Sequence, residues 1–305
     1  MVSDRFAHAL EEAGLVAPST IHADGTLHRF SATGQRTDRA GWYVLHADGI
    51  PAGVFGCWRT GVVETWCSKE PAAMTALERA QLRQRVQQAK ALRDQEQMQR
   101  QQQAQQTAHA RWEAATPTRW HQYTRDKGVQ PHGLRAEPDC TLLVPMRDAN
   151  GVLHSLQTIA PDGAKRFMAG GRVRGCFHLV GVPAVALVVC EGIATAHSIH
   201  ECTGLAVAAA FSAGNLEPVA QALRRKYPAL PVILAADDDH ATEGNPGLTA
   251  AHAAALAVGG AVVVPQFPAD RPRKATDFND LFSLAGAGAV RACFAEVLEG
   301  LNDGL

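Results

Sequence analysis

The chain has 305 residues and lacks most of the features that usually announce a function. Neither charge is in excess: 29 Lys and Arg against 30 Asp and Glu leave a formal net charge of −1 at pH 7. A global field that draws nucleic acid is therefore excluded, and any contact with a polyanion has to be local. The seven cysteines (57, 67, 140, 176, 190, 202 and 293) are scattered, odd in number and without a CxxC pair. That argues against a zinc ribbon and for reduced thiols in a cytoplasmic protein. No apolar run approaches the length of a membrane span, and Met1 to Leu10 mixes acidic and basic residues, so neither a membrane partner nor a signal peptide is expected. GxGxxG, GxSxG and GxxxxGK[ST] are all missing, which leaves dehydrogenase, serine-hydrolase and P-loop readings without support.

What is present is two apolar runs that each end in carboxylates. Leu187-Val188-Val189-Cys190 leads into Glu191-Gly192, and Pro231 to Ala236 leads into Asp237-Asp238-Asp239. Both runs are too apolar to face water on either side and read as buried parallel strands. Side chains at the carboxyl ends of neighbouring strands meet in the crevice where open α/β sheets bind ligands. Three carboxylates there repel one another unless a cation lies among them. An all-oxygen set suits Mg²⁺ or Mn²⁺, and no zinc is expected. The competing reading is that Glu191 caps the helix after it and that Asp237 to Asp239 only turn the chain.

Four parts follow from the changes in composition. Residues 1–68 hold a short helix (Asp4 to Ala13) and then glycine-punctuated strands, with Asp24-Gly25 and Asp48-Gly49 as hairpin turns. Trp42, Tyr43, Phe55, Trp58 and Trp66 alternate there with Arg29, Arg36, Arg39 and Arg59. This is either a surface for single strands or a small domain packed on its tryptophans. Residues 69–115 are Gln-rich and glycine-free, and read as one long helix whose large apolar positions stop at Met98. Its second half should be solvated, or should bridge two bodies. Residues 116–182 read as an antiparallel module whose tip clusters Lys165, Arg166, Arg172 and Arg174. Residues 183–305 alternate strand and helix, which implies a doubly wound parallel sheet ending in a helix pair after Asp277-Phe278-Asn279-Asp280-Leu281. His197 and His200 are expected on the surface of the helix after Glu191, and His240 beside the acidic cluster.

The strand-ending Glu191-Gly192 and the Asp237-x-Asp239 motif resemble the Toprim domain of bacterial-type primases, topoisomerases and some nucleases. Val144-Pro145-Met146-Arg147-Asp148-Ala149-Asn150-Gly151, Lys165-Arg166-Phe167 and Phe177-His178-Leu179-Val180-Gly181 are similar to the module that precedes it in the Toprim primases of plasmids, phages and integrative elements. Gly244-Asn245-Pro246-Gly247 resembles that family's turn into the next helix, and Asp277 to Leu281 its late acidic motif. The resemblance implies an α/β fold: a Toprim-like doubly wound sheet preceded by a small antiparallel α+β module, a long helix and a β-rich N-terminal domain. It also implies Glu191 as general acid/base or metal-poising residue, with Asp237, Asp239, Asp277 and Asp280 as metal ligands. Lys165, Arg166, Arg172, Arg174 and Lys274 become candidates for phosphate contact. The implied reaction is primer synthesis on single-stranded DNA from nucleoside triphosphates, with a helicase or replication initiator supplied separately. Two alternatives stay open: a metal-dependent Toprim nuclease, and a catalytically silent adaptor that binds nucleic acid. Thr195 departs from the pattern, since a further acidic residue occurs at its place in bacterial-type primases.

Overall fold

Strands with no polar face need cover on both sides, and the first sheet obtains it from two helices. A computed structural model describes residues 2–36 and 38–302 and divides into two units, Met1–Gln99 and Arg100–Leu305. In the first unit, α1 (Val2–Glu12) precedes an antiparallel sheet of β1 (Asp24–Phe30), β2 (Gly41–His46), β3 (Ala52–Cys57) and β4 (Val63–Cys67), in that order. Phe6 and Leu10 of α1 pack on Tyr43, Leu45 and Phe55 from one face. Ala89 of α2 (Ala76–Ala114) packs on Trp42, Val44 and Val54 from the other. Three of the five aromatic residues are thus core, while Arg59 pairs with Asp38 at 2.6 Å and Arg29 with Glu96 at 3.1 Å. Asp48-Gly49 lies in the β2–β3 connection. Asp24-Gly25 does not make a turn: it opens β1 at a register slip, where the Asp24 carboxylate accepts hydrogen bonds from the Thr26 N–H and hydroxyl.

α2 begins with a capping box, in which the Thr75 N–H donates to the Glu78 carboxylate and the Glu78 N–H to the Thr75 hydroxyl. Leu77 and Met98 are not on its packing face. They are 69% and 59% exposed, whereas Ala104, Ala108 and Trp112 are buried. The expectation of a solvated second half is corrected here. Ala108 and Trp112 pack on Leu143, Leu153 and Leu156, and the Gln105 amide donates to the Leu153 carbonyl. Alanine allows the helix to approach a sheet closely, and a search for large apolar residues misses such a face.

The second unit holds two sheets. The antiparallel sheet runs β5 (Thr116–Pro117), β6 (Arg135–Ala136), β7 (Leu142–Arg147), β8 (Leu153–Ile159) and β9 (Lys165–Phe167), with α3 (Gln122–Asp126) between β5 and β6. The other sheet contains β10 (His178–Val180), β11 (Leu187–Cys190), β12 (Ala206–Ala209), β13 (Val232–Ala235) and β14 (Ala261–Val263) in the order 10-12-11-13-14. Its last four strands are parallel, and β10 pairs antiparallel with β12. An Arg147–Phe177 bridge joins the two sheets. α4 (Ile193–Thr203) and α7 (Phe278–Asn302) cover one face, and α5 (Ala213–Lys226) and α6 (Pro246–Val258) the other. The chain leaves β11 for β12 on one side and then crosses to β13 on the other. The reversal of winding therefore falls between β11 and β13, the position where such sheets open a ligand crevice.

The helix pair expected after Asp277 is present in α7. Phe278–Gly300 is long and apolar enough to pass for a membrane span, with mean hydropathy 1.5. It is two helices joined at Gly286, whose φ of 76° breaks the spiral, and Phe278, Leu281, Val290 and Phe294 are buried in the core. Its apolar character follows from packing on α4.

Candidate active site

Cys190 pairs with Ala209 on one side and Ala235 on the other, so Glu191 and Asp237 follow the ends of adjacent strands. Glu191 does not cap its own helix: α4 starts behind Gly192 without a side-chain cap. The Ala213 N–H at the start of α5 instead favours the charged form of Glu191. Burial, then the charge of Asp239, raises the Glu191 carboxyl above the usual range, and Lys165 opposes the shift.

Asp237 is the most perturbed acid of the crevice. Burial, then Asp277, Glu191, Asp239 and Asp280, pushes its carboxyl up to about 8. Its Oδ1 is buried without a hydrogen-bond partner among the described residues. Asp277 is raised by burial and by Asp280. Its Oδ2 accepts from the Thr195 hydroxyl at 3.0 Å, so Thr195 holds one of the acids. Asp280 has a different task. Its Oδ2 accepts from the N–H groups of Thr276 and Asp277, while Asp277 Oδ1 accepts from the Asp280 N–H at 2.8 Å. This reciprocal pair caps the start of α7.

The alternation in the Asp-Asp-Asp run has a visible cause. Arg271 donates to Asp238 Oδ2 at 2.6 Å and the Asn245 amide to Asp238 Oδ1 at 2.7 Å. Burial pushes the Asp238 carboxyl up, but these bonds bring it below the usual range. Asp238 is thus a structural anion that leaves its neighbours to the crevice. Asp239 Oδ2 accepts from the Gly247 N–H at 3.1 Å, near the start of α6. A Cβ on Gly247 would stand 2.7 Å from the Asp237 carbonyl and 2.9 Å from Asp239 Oδ2. Gly247→Ala is therefore expected to cost about 2 kcal/mol through overpacking. Urea denaturation should show a lowered midpoint with an unchanged slope, and an unaltered midpoint would remove this constraint.

The resident group implied by such acids is a divalent cation. Among the described residues no three Asp, Glu, His or Cys side chains stand close enough to hold a metal ion as placed. The donor chemistry nonetheless fits: Glu191, Asp237, Asp239 and Asp277 act on one another electrostatically, and Asp237 keeps an unpartnered buried oxygen. A proton or a cation relieves that repulsion, and hard oxygen donors suit Mg²⁺ or Mn²⁺.

The predicted cations do not cluster. Lys165, exposed on β9, acts on Glu191 and stands 5.2 Å from the Tyr123 ring centre. Arg172 contacts His154, near the other end of β8, and the Arg174 carbonyl. Lys165 pairs with Ile159, so the places where the two attach are five residues apart on β8, roughly 17 Å of strand. Arg166, Arg174 and Lys274 are exposed. Lys127, which acts on Asp277, and Arg271 went unnoticed in the sequence. Phe167 of the Lys165-Arg166-Phe167 motif lies 44% exposed and edge-on to Phe211, the residue whose N–H donates to the Glu191 carbonyl. Asn215, in the first turn of α5, is a buried clamp. Its amide donates to the carbonyls of Val173, Cys176 and Ala210, and its Oδ1 accepts from the Gly175 N–H.

His240 lies beside Asp238, as expected, and Asn279 has partners of its own. Asn279 is buried and donates to the Lys127 carbonyl and the Ser198 hydroxyl. His240 contacts Arg271 and the Asp238 carbonyl. The histidines of α4 depart from expectation. His197 is fully buried, with ring centres of His132 and His178 at 5.2 and 5.9 Å. Burial lowers His178 to about 4 and His197 well below its ordinary value, so both are neutral. The apolar faces of the strands leave the space beside α4 closed to water, which no helical periodicity of polar residues reveals.

Residues 186–288 match the Toprim domain family, so the acids of this crevice stand on a Toprim domain. Two Escherichia coli proteins named DNA primase TraC are similar over most of the chain. One is 39% identical over 280 residues and the other 38% over 282, each alignment covering 87% of this chain. The chain therefore carries a Toprim domain and is similar to these primases, and it spans 26% and 19% of the length of those two relatives. Among solved structures, the DnaG catalytic core is similar at 14% identity and a TM-score of 0.41, covering 66% of this chain and 79% of that one. The primase fragment of the bacteriophage T7 primase-helicase is similar at 15% and 0.40, covering 59% and 72%.

Proposed function

We propose that this chain is a primase-like nucleotidyltransferase of a mobile genetic element, active in the cytoplasm, which makes short primers on single-stranded DNA from nucleoside triphosphates. The observation that carries this reading is the set of Glu191, Asp237, Asp239 and Asp277 at the winding reversal, with one Asp237 oxygen buried and unpaired. The module 116–182 and the domain 183–305 form the catalytic body.

Mg²⁺ or Mn²⁺ held by Asp237, Asp239 and Asp277 would neutralise the triphosphate. Asp280, as the α7 cap, supports Asp277. Glu191, raised by burial and by Asp239, is suited to accept the proton of a primer 3′-hydroxyl as that oxygen attacks the α-phosphate. A P–O bond to the new nucleotide forms, the bond to the β-phosphate breaks, and pyrophosphate leaves. Lys165 faces Glu191 from β9 and Lys127 faces Asp277, two cations placed to meet phosphate oxygens. Arg166, Arg172, Arg174 and Lys274 are assigned to the template backbone further off. A separate helicase or replication initiator is the expected partner.

The test is synthesis of labelled oligonucleotides on single-stranded DNA with Mg²⁺ or Mn²⁺. Metal-dependent primers support the reading. Metal-dependent cleavage of the template would establish a nuclease instead, and silence in both assays would leave a binding protein.

A further inference from the structure

A second cavity, of about 290 Å³, lies in the same unit on the α5 side of the sheet. Lys226 and Tyr227 line it at the far end of α5, roughly 20 Å along the helix from Ala213 and the Glu191 carboxylate. Its remaining walls include Trp112 of α2, Arg147 and Asp148 after β7, and Phe177 before β10.

The charges of this cavity do not balance. The Arg147 guanidinium lies 5.7 Å from the Trp112 ring centre, and among the described residues its one hydrogen bond is to the Gly151 carbonyl. Arg135, behind the lining, lies 4.8 Å from the same ring and donates to the Trp112 carbonyl. Lys226 lies 5.7 Å from the Tyr227 ring centre and bonds to the Ala149 carbonyl. Among the described residues no carboxylate pairs with any of these three cations; Glu113 acts on Arg147 only from further off. Asp148 is already engaged: its Oδ1 accepts from the N–H groups of Asn150 and Val152, and its Oδ2 contacts His154. Burial, then Arg135, lowers the Arg147 guanidinium, as expected for crowded cations short of an anion. Confining positive charges without counter-charge is costly, and a bound anion removes that cost.

We propose that this cavity binds a mononucleotide, with phosphates on Arg147 and Lys226 and the flat base against the rings of Trp112, Phe177 and Tyr227. Ring walls with cations beside them match a ligand that is planar at one end and anionic at the other. The volume is at the lower bound of small-molecule sites, which suits one nucleotide rather than a strand. The site is separate from the acidic crevice and does not depend on the catalytic reading.

Equilibrium dialysis of labelled ATP in EDTA tests it with the full chain, because chelation leaves out metal-dependent nucleotide binding at the acids. Wild type and Asp237→Asn should bind one ATP per chain alike. Lys226→Met and Arg147→Gln should each weaken binding roughly tenfold, with unchanged circular dichroism. Adenosine and inorganic tripolyphosphate should each bind at least roughly tenfold more weakly than ATP. Failure of ATP to bind at millimolar concentration, or binding that both cation variants leave unchanged, overturns the proposal. So does tripolyphosphate binding as tight as that of ATP. A loss confined to Asp237→Asn would place the nucleotide in the crevice and overturn it as well.

Discussion

Glu191→Gln and Asp237→Asn should each lower primer synthesis by about two to three orders of magnitude while leaving the fold intact. Both replacements keep the shape and remove the charge, so lost activity cannot be assigned to lost packing. For Glu191 the effect is that of deleting a general base, about a hundredfold or more. It should fall on kcat rather than KM, because the proton moves only in the transition state. For Asp237 the effect is loss of a cation ligand whose oxygen has no other partner. Asp238→Asn supplies the control within the same three residues. Its carboxylate is bound by Arg271 and Asn245, so the change should lower stability and leave the chemistry nearly untouched. Initial rates and thermal melts on the three variants decide the matter. An Asp237→Asn rate within about threefold of wild type would remove that residue from the site.

The Toprim part of the chain was legible because its signals are local and strong. Four-residue apolar runs ending in acids have few alternatives to buried parallel strands, and register then brings Glu191 and Asp237 to adjacent strand ends. The layer that supports the acids was not legible. Asn245, Arg271, Thr195 and Asn215 are ordinary polar residues in sequence, and their roles depend on partners up to 82 residues away. Pattern reading also misjudged distance along β8, where Lys165 and Arg172 seem neighbours in sequence but attach at opposite ends of a strand. The long helix misled for a further reason. Its buried face carries Ala89, Ala104 and Ala108 beside Trp112, and alanines weigh little on any hydrophobic scale, while Leu77 and Met98 attract notice and stay in water. Asp24-Gly25 shows the same limit at short range, since a turn dipeptide also serves as a bulge.

The stability of the metal-free protein should rise as the pH falls from about 9 to about 6.5, the reverse of a protein held together by paired carboxylates. The sign follows from Asp237. Its folded-state pKa of about 8 lies above the ordinary 3.8, so below about 8 the folded chain takes up a proton that the unfolded chain does not. Repulsion among the acids is therefore fully present above about pH 8 and is relieved as the pH drops through that value. Over this window the recovered stability is about 2 kcal/mol, or about 5 °C in Tm, allowing for partial solvent screening. His178 and His197 have depressed values and work in the opposite direction. They act only below the ordinary histidine value of 6.5, where the unfolded chain begins to bind the protons, and so stay outside the window. Asp237→Asn should flatten the profile and raise the melting temperature at the alkaline end. Millimolar Mn²⁺ should stabilise wild type at about pH 8 and the variant far less, since a ligand stabilises only the state that binds it. Thermal melts of both proteins across this range, with EDTA or with Mn²⁺, provide the measurement. Parallel profiles with no metal response would mean that Asp237 is not confined among the other acids, and the cation site would fall with that result.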